Sequence, residues 1–255
     1  MLKKSPIKRP PLPQAGESSW LILGERWDNR VALFVLIPGF LASIAGVEWC
    51  HRLFELPVNP WLWTAMFLVS LPISALLYRR GITELKRRTQ GFQGERVVGQ
   101  SLDDLRSLGC RVYHDIAEDG YNIDHVVIAP NGIFAIETKA PSKPLKGQSE
   151  VVFDGETVAV AGGPPDKEPI IQAKSAANRL REIIREMSGQ DHRIVPVLLY
   201  VDWFVKSTSF CRDIHVMNQE YFVKAFENLG GTEMLPSDSI KLLAASLERY
   251  LRGKR

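Results

Sequence analysis

Three residues able to do chemistry sit in one otherwise apolar stretch. Between Asn122 and Lys139 the chain reads Asn-Ile-Asp-His-Val-Val-Ile-Ala-Pro-Asn-Gly-Ile-Phe-Ala-Ile-Glu-Thr-Lys, which contains Asp124, Glu137 and Lys139. Two carboxylates and an amine are costly to hold beside a hydrophobic core without partners. A divalent cation and a phosphate would make use of all three. Alternating apolar residues around Pro-Asn-Gly predict a β-hairpin. With Asn131-Gly132 as its turn, Asp124 lies opposite Lys139 and Val126 opposite Glu137. Opposed residues share a face, as do residues two apart in one strand, so the three functional groups meet. A three-residue turn would disturb this unless a bulge restored it.

Two carboxylates at that separation repel unless something cationic lies between them. Mg²⁺ or Mn²⁺ fits, with oxygen ligands from Asp124, Glu137 and the main-chain carbonyl of Thr138. Such an ion binds phosphate oxygens and lowers the pKa of a bound water. Lys139 would orient that water or stabilise developing negative charge. The plainer reading of the same residues is a salt bridge between Glu137 and Lys139 on an exposed strand face. His114, His125, His192 and His215 have no metal-ligand spacing. His125 alternates away from Asp124, so it reads as a structural histidine.

The elements that must carry these residues follow from periodicity. Val97, Val98, Leu102, Leu105 and Leu108 recur at helical spacing from Gly94, with Gly109 placed as a C-cap. Arg111–Ile116 reads as a strand, followed by the hairpin. Residues 151–160 read as a second, smaller hairpin around Asp154-Gly155. Residues 170–187 form an amphipathic helix, with Ile171, Leu180, Ile183, Ile184 and Met187 assigned to its buried side. Ile194–Val201 is apolar nearly throughout, as a central strand is. A short strand near 214–217 and helices near 220–229 and 238–251 complete the order. Lys174, Arg179, Arg181, Arg185 and Arg193 offer either phosphate contacts or a solvated helix face.

Gly94-Glu95, Asp124, the Asn-Gly-Ile-Phe-Ala-Ile-Glu-Thr-Lys run and Gln172 in Pro-Ile-Ile-Gln-Ala-Lys together resemble the NERD, or nuclease-related, domain of the PD-(D/E)xK nuclease-like superfamily. The resemblance covers roughly residues 91–205. It implies a restriction-endonuclease-like α/β fold, a mixed sheet flanked by helices, and Mg²⁺-dependent cleavage of phosphodiesters, with DNA ahead of RNA as substrate. By the same resemblance Asp124 and Glu137 are metal-binding acids and Lys139 the catalytic lysine. Glu95 is a helix-borne supporting acid, and Gln172 a polar residue approaching from the following helix. Ala140-Pro-Ser-Lys-Pro144 departs from the family pattern, as does the absence of a Trp near Asp154.

The N-terminal part has a different character. Residues 31–47 and 60–78 carry no charge and approach the ~20 apolar residues that cross a bilayer. Two transmembrane helices, about 31–48 and 60–78, are therefore expected, with Trp49, Trp61, Trp63 and Tyr78 at their ends. Arg and Lys residues flank the pair outside the short loop between them, which sets both termini and the nuclease-like domain in the cytoplasm. The anchor would lie in the inner (cytoplasmic) membrane. Residues 1–30 read as a basic N-terminus, with 1–19 disordered, 79–91 as a basic linker that also suits anionic lipid, and 92–255 as the nuclease-like domain with its C-terminal helices.

The whole chain has 255 residues, 45% hydrophobic and 24% charged, with a net charge of +3. That charge is too small to argue for a nucleic-acid partner by itself. Cys50, Cys110 and Cys211 are widely spaced and form neither a zinc signature nor a disulfide framework. The expected partners are nucleic acid and the lipid bilayer. A non-catalytic module tethering nucleic acid or protein to the membrane is the competing reading. The oligomeric state is left open.

Overall fold

A computed structural model describes residues 14–15, 37–54, 60–118, 121–144, 149–209, 211–229 and 234–253. The expected disordered segment 1–19, apart from 14–15, lies outside these residues, as does the start of the first expected span, 31–36. The chain divides into two compact units, Ser19–Thr89 and one built on Gln90–Arg255.

The first unit contains helix α1, residues 37–53, and most of helix α2, Pro60–Asp103. Trp49 stacks edge-on against Trp61 at 5.6 Å and donates its indole N–H to Thr64 Oγ1 at 3.1 Å. The expected transmembrane hairpin finds no support among the described helices. Among the described residues no helix is long and apolar enough to cross a membrane. The described part of the first stretch begins only at 37. In the second, the side chains of Pro60, Leu62 and Trp63 lie outside the described set. Residues 79–91 are helical, within α2.

The second unit is a layered α/β fold. Strands β1 (Arg111–Glu118), β2 (Tyr121–Ala129), β3 (Gly132–Lys139), β6 (Ile194–Tyr200) and β8 (His215–Met217) form one sheet in the order β1-β2-β3-β6-β8. Strand β2 runs antiparallel to both β1 and β3, and β3, β6 and β8 run parallel, so the sheet is mixed as expected. Strands β4 (Glu150–Phe153), β5 (Val158–Val160) and β7 (Phe204–Ser207) form a smaller sheet, in the order β5-β4-β7. Asp154 closes the β4–β5 turn by accepting the N–H groups of Glu156 and Thr157 and the Thr157 hydroxyl.

Helices cover both faces of the large sheet. Helix α3 (Glu168–Ser188) and helix α5 (Ser237–Gly253) pack Leu180, Ile183, Leu243 and Leu247 against Val126, Ile128 and Ile133. On the other face Val98, Leu102 and Leu105 meet Val127, Phe134 and Ile136, joined by Phe222 of helix α4 (Gln219–Ala225). Alternation along β3 thus supplies both cores. Ile171 does not join them. It is 52% exposed, and Ile170 and Ala173 take the buried positions at the start of α3.

Two further expectations are corrected. The helix expected to open at Gly94 begins at Pro60 and passes through Gly94 without a break. It ends as foreseen, through a 3₁₀ turn (Asp104–Leu108) at Gly109, whose φ of 81° needs no Cβ. The hairpin turn is Pro130-Asn131, with Ala129 paired to Gly132 and His125 to Ile136. An Asn-Gly type I′ turn needs positive φ at both central residues, whereas only Gly132 has it here, at 137°. Proline fixes its own φ near −65° and so claims the first corner position. Asn131 Nδ2 then donates to the carbonyls of Phe226 (2.7 Å) and Leu229 (3.1 Å), tying the turn down.

Candidate active site

The register correction moves each pairing by two residues, so it leaves the faces unchanged. Continued past His125–Ile136, the observed register sets Asp124 toward Glu137 rather than Lys139. Asp124 Oδ2 accepts the main-chain N–H of Thr138 at 2.8 Å, which fixes the carboxylate across the two strands. Glu137 and Lys139 follow Ile133 and Ala135 on the face covered by α3. From that helix comes Gln172. Lys139 Nζ donates to Glu137 Oε1 at 2.7 Å and to Gln172 Oε1 at 2.5 Å. Gln172 Nε2 donates in turn to Glu168 Oε1 at 3.2 Å. That bond settles the amide orientation, because the nitrogen faces a carboxylate and the oxygen an ammonium. The ordering runs Glu168, Gln172, Lys139, Glu137.

Glu95 reaches the same place from α2. Burial is the largest cause raising the Asp124 carboxyl well above the usual carboxylate range. The negative charges of Glu137 and then Glu95 add to it, while the Thr138 N–H and Lys139 pull it back. Three acids therefore bear on one another, and the site has an electrostatic demand for positive charge that Lys139 alone does not meet. All five residues expected at the site, Glu95, Asp124, Glu137, Lys139 and Gln172, are brought together.

Gly94 explains how α2 comes so close. A Cβ on Gly94 would stand 2.4 Å from Ala140 Cβ, far inside contact distance. Helix and strand end therefore approach across a missing methyl group. Ala140, which departs from the family pattern in sequence, is the residue that fills the space Gly94 leaves.

Local backbone strain marks the same region. Asp115 has φ 52°, a left-handed conformation that non-glycine residues seldom adopt. The β1–β2 ladder pairs His114 with His125 and Ile116 with Ile123, and passes over the intervening pair, Asp115 and Asp124. Tyr113 and Ile116 consequently enter the same core, as do Ile123 and Val126, although alternation would separate them. Strict period-two reading misses this kink. No sequence pattern around Asp115 announces it, apart from the tolerance of Asp for left-handed geometry.

Oxygen donors for a hard cation are present in Asp124, Glu137 and the Thr138 carbonyl. Among the described residues no group of three or more His, Cys, Asp or Glu side chains is placed to hold a metal unaided. Mg²⁺ does not need one, since it commonly binds through one or two carboxylates and keeps waters or takes substrate phosphate oxygens. The donor set fits an ion of that kind. The basic residues of α3 are less available for phosphate. Arg179 pairs with Glu118 (2.9 Å) and Glu182 (2.8 Å), and Arg181 is bound bidentate to Asp191. The histidines carry no metal geometry, and His125 faces away from Asp124 as expected. The three cysteines are free thiols.

Several hollows border the domain, and two of them bear on the site. One, of about 580 Å³, opens beside Lys139. A larger one, of about 780 Å³, is lined by residues such as Phe204, Arg212, Ile214 and Tyr221 and includes none of the five site residues. Of the five site residues Lys139 lines the first.

Residues 90–201 match the nuclease-related domain, NERD, close to the extent read from the sequence. No curated protein and no solved structure matches the chain. The domain match points to a nuclease-like function and to interaction with nucleic acid.

Proposed function

We propose that this protein is a metal-dependent nuclease that hydrolyses phosphodiester bonds, with DNA as its substrate. The observation that carries the reading is the convergence of Asp124, Glu137, Lys139 and Gln172 at the end of β3, inside the segment that matches a nuclease-related domain. Asp124 and Glu137, with the Thr138 carbonyl, would hold Mg²⁺ or Mn²⁺, which supplies charge neutralisation and an acidified water. Gln172 holds the Lys139 ammonium in one direction, so the cation is already aimed when a phosphate arrives. Asp124 steadies the strand end through the Thr138 N–H. Glu95 adds the third negative charge that makes a cation welcome.

The decisive experiment is cleavage by the full-length protein with Mg²⁺, with Mn²⁺ and with chelator, alongside Asp124→Ala and Lys139→Ala. Metal-dependent cutting that both variants lose supports the assignment. Equal activity in all three proteins overturns it. One observation favours the tethering alternative: Lys139 is already engaged by Glu137. Tight, salt-sensitive DNA binding without calorimetric metal binding would select it.

The proposal includes an address at the cytoplasmic face of the inner membrane. Its support is the exposed apolar surface of α1 and α2, including Phe40, Leu53, Trp61, Leu68, Val69 and Ile73, followed by exposed Arg79, Arg80, Lys86, Arg87 and Arg88. Contiguous apolar exposure of this kind marks an interaction surface, and the basic run suits the cytoplasmic side. Recovery in the membrane fraction after alkaline carbonate washing is the expected result, and recovery in the supernatant would remove the address.

A further inference from the structure

The cleft beside Lys139 holds information about the substrate that the catalytic residues do not. Tyr200 and Val158, both buried, form its inner end. One wall is Ala140-Pro141, directly after the lysine. The other is Val160 with Gly163, Pro164 and Pro165, continued by Pro169 at the start of α3. Four prolines set their own φ values, so the shape is built before any ligand arrives and little ordering is needed on binding. Its volume of about 580 Å³ lies inside the roughly 300–1,000 Å³ of small-ligand sites.

The charge pattern is unusual for a surface meeting nucleic acid. Among the described lining residues the only charged ones are Lys139 and Asp166. Lys139 is held by Glu137 and Gln172 at the cleft's mouth. Asp166 pairs its backbone with Val158 and uses Oδ1 to accept the Glu168 N–H at 2.9 Å. A phosphate belongs at the Lys139 end. Beyond it the described walls are mostly apolar and carry no second cation, so they do not track a phosphodiester backbone. They suit the flat, uncharged part of a nucleotide.

We propose that the cleft receives one unstacked nucleobase next to the scissile phosphate, and that the substrate is therefore single-stranded or unpaired nucleic acid. This rests on the nuclease reading given above. In a continuous duplex the base is stacked and paired, and reaching the cleft would first require it to leave the helix, at an energetic cost. In a single strand it swings in freely and gains apolar contact against the proline and valine faces and the Tyr200 ring.

The test is binding by the full-length protein with Ca²⁺ replacing Mg²⁺, so that no strand is cut. Fluorescence anisotropy compares a labelled 20-nucleotide strand, as DNA and as RNA, with the matching duplex, and then scans a single abasic position along the strand. The expected result is single-strand binding at least tenfold tighter than duplex binding. One abasic position should weaken it by roughly tenfold. Val160→Phe, which fills the cleft from a strand position that tolerates aromatics, should erase that positional effect. A flat abasic scan, or a duplex bound as tightly as the single strand, overturns the proposal. A positional effect without Mg²⁺-dependent cleavage supports the cleft and defeats the nuclease reading. Cleavage with a flat scan does the reverse.

Discussion

Asp124 and His125 are adjacent in the chain and belong to two opposite kinds of polar cluster. On one face of β2, Asp124 joins Glu137, Glu95 and Lys139 beside an open cleft. On the other face, His125 meets His114 Nδ1 to Nδ1 at 2.9 Å, and His114 Nε2 meets Asp103 Oδ1 at 3.3 Å. His125 is fully buried and its Nε2 has no partner. With His114 Nε2–H donating to Asp103, its Nδ1 must accept from His125 Nδ1–H, which leaves His125 Nε2 bare and apolar surroundings around it. Burial holds both imidazoles below their ordinary pKa. The first cluster sets Asp124, Glu137 and Glu95 against one ammonium beside the cleft, where a cation can answer them. The second runs inward from half-exposed Asp103 to a fully buried imidazole that no ligand reaches. A buried polar group is therefore a pointer to chemistry when its demand is unmet and reachable, and a packing element when it is closed.

Removing groups from each side separates the two. Asp124→Asn or Lys139→Ala should lower metal-dependent cleavage about 10²- to 10³-fold, the size seen when a charge-stabilising group is lost. His125→Leu should leave the rate within about threefold, measured under the same conditions. A large loss in His125→Leu would erase the distinction. Gly94→Ala should destabilise the domain by about 1–3 kcal/mol in denaturant melts, since a core too full forces backbone shifts, and activity should fall with it because Glu95 moves.

pH provides a subtler contrast, with opposite signs. The Asp124 carboxyl is raised in the folded protein, so the native state binds the proton more tightly. Its contribution to stability is present at low pH and declines as pH rises from the ordinary carboxylate range, near 4. Asp124→Asn should therefore melt higher than the parent at pH 7, with the gap shrinking toward pH 4. The histidines are depressed, so the unfolded chain binds more protons below about pH 6.5. There the parent should lose stability as pH falls, and His125→Leu should lose less. Each effect is on the order of 1 kcal/mol per pH unit, readable by thermal melts from pH 4 to 8. Parallel pH curves for the two variants would mean the clusters do not differ as described. The smallest effect belongs to Gln172→Ala, expected to slow cleavage roughly tenfold while leaving melting nearly unchanged.

The site was legible because it is local. Asp124, Glu137 and Lys139 lie on one hairpin, and an error of two in register preserves which face they share. Helix α3 and strand β6 were legible too, since long amphipathic and wholly apolar runs leave few alternatives. What escaped was set by tertiary contact. Nothing in residues 79–93 breaks a helix, so Gly94 reads as an opening when it is a point of close approach. Strand β7 is short and exposed, and acquires its identity by pairing with β4. The kink at Asp115 leaves no period to detect. The expected spans rested on apolar length, which the described helices do not supply.

The contact between Gly94 and Ala140 also constrains descent. Between them, the two positions have room for one methyl group. Gly94→Ala brings two methyl groups into one space, and Ala140→Gly is the change that most directly makes room for it. Relatives that keep this close approach are therefore expected to carry a glycine at one of the two sites, although 46 positions separate them.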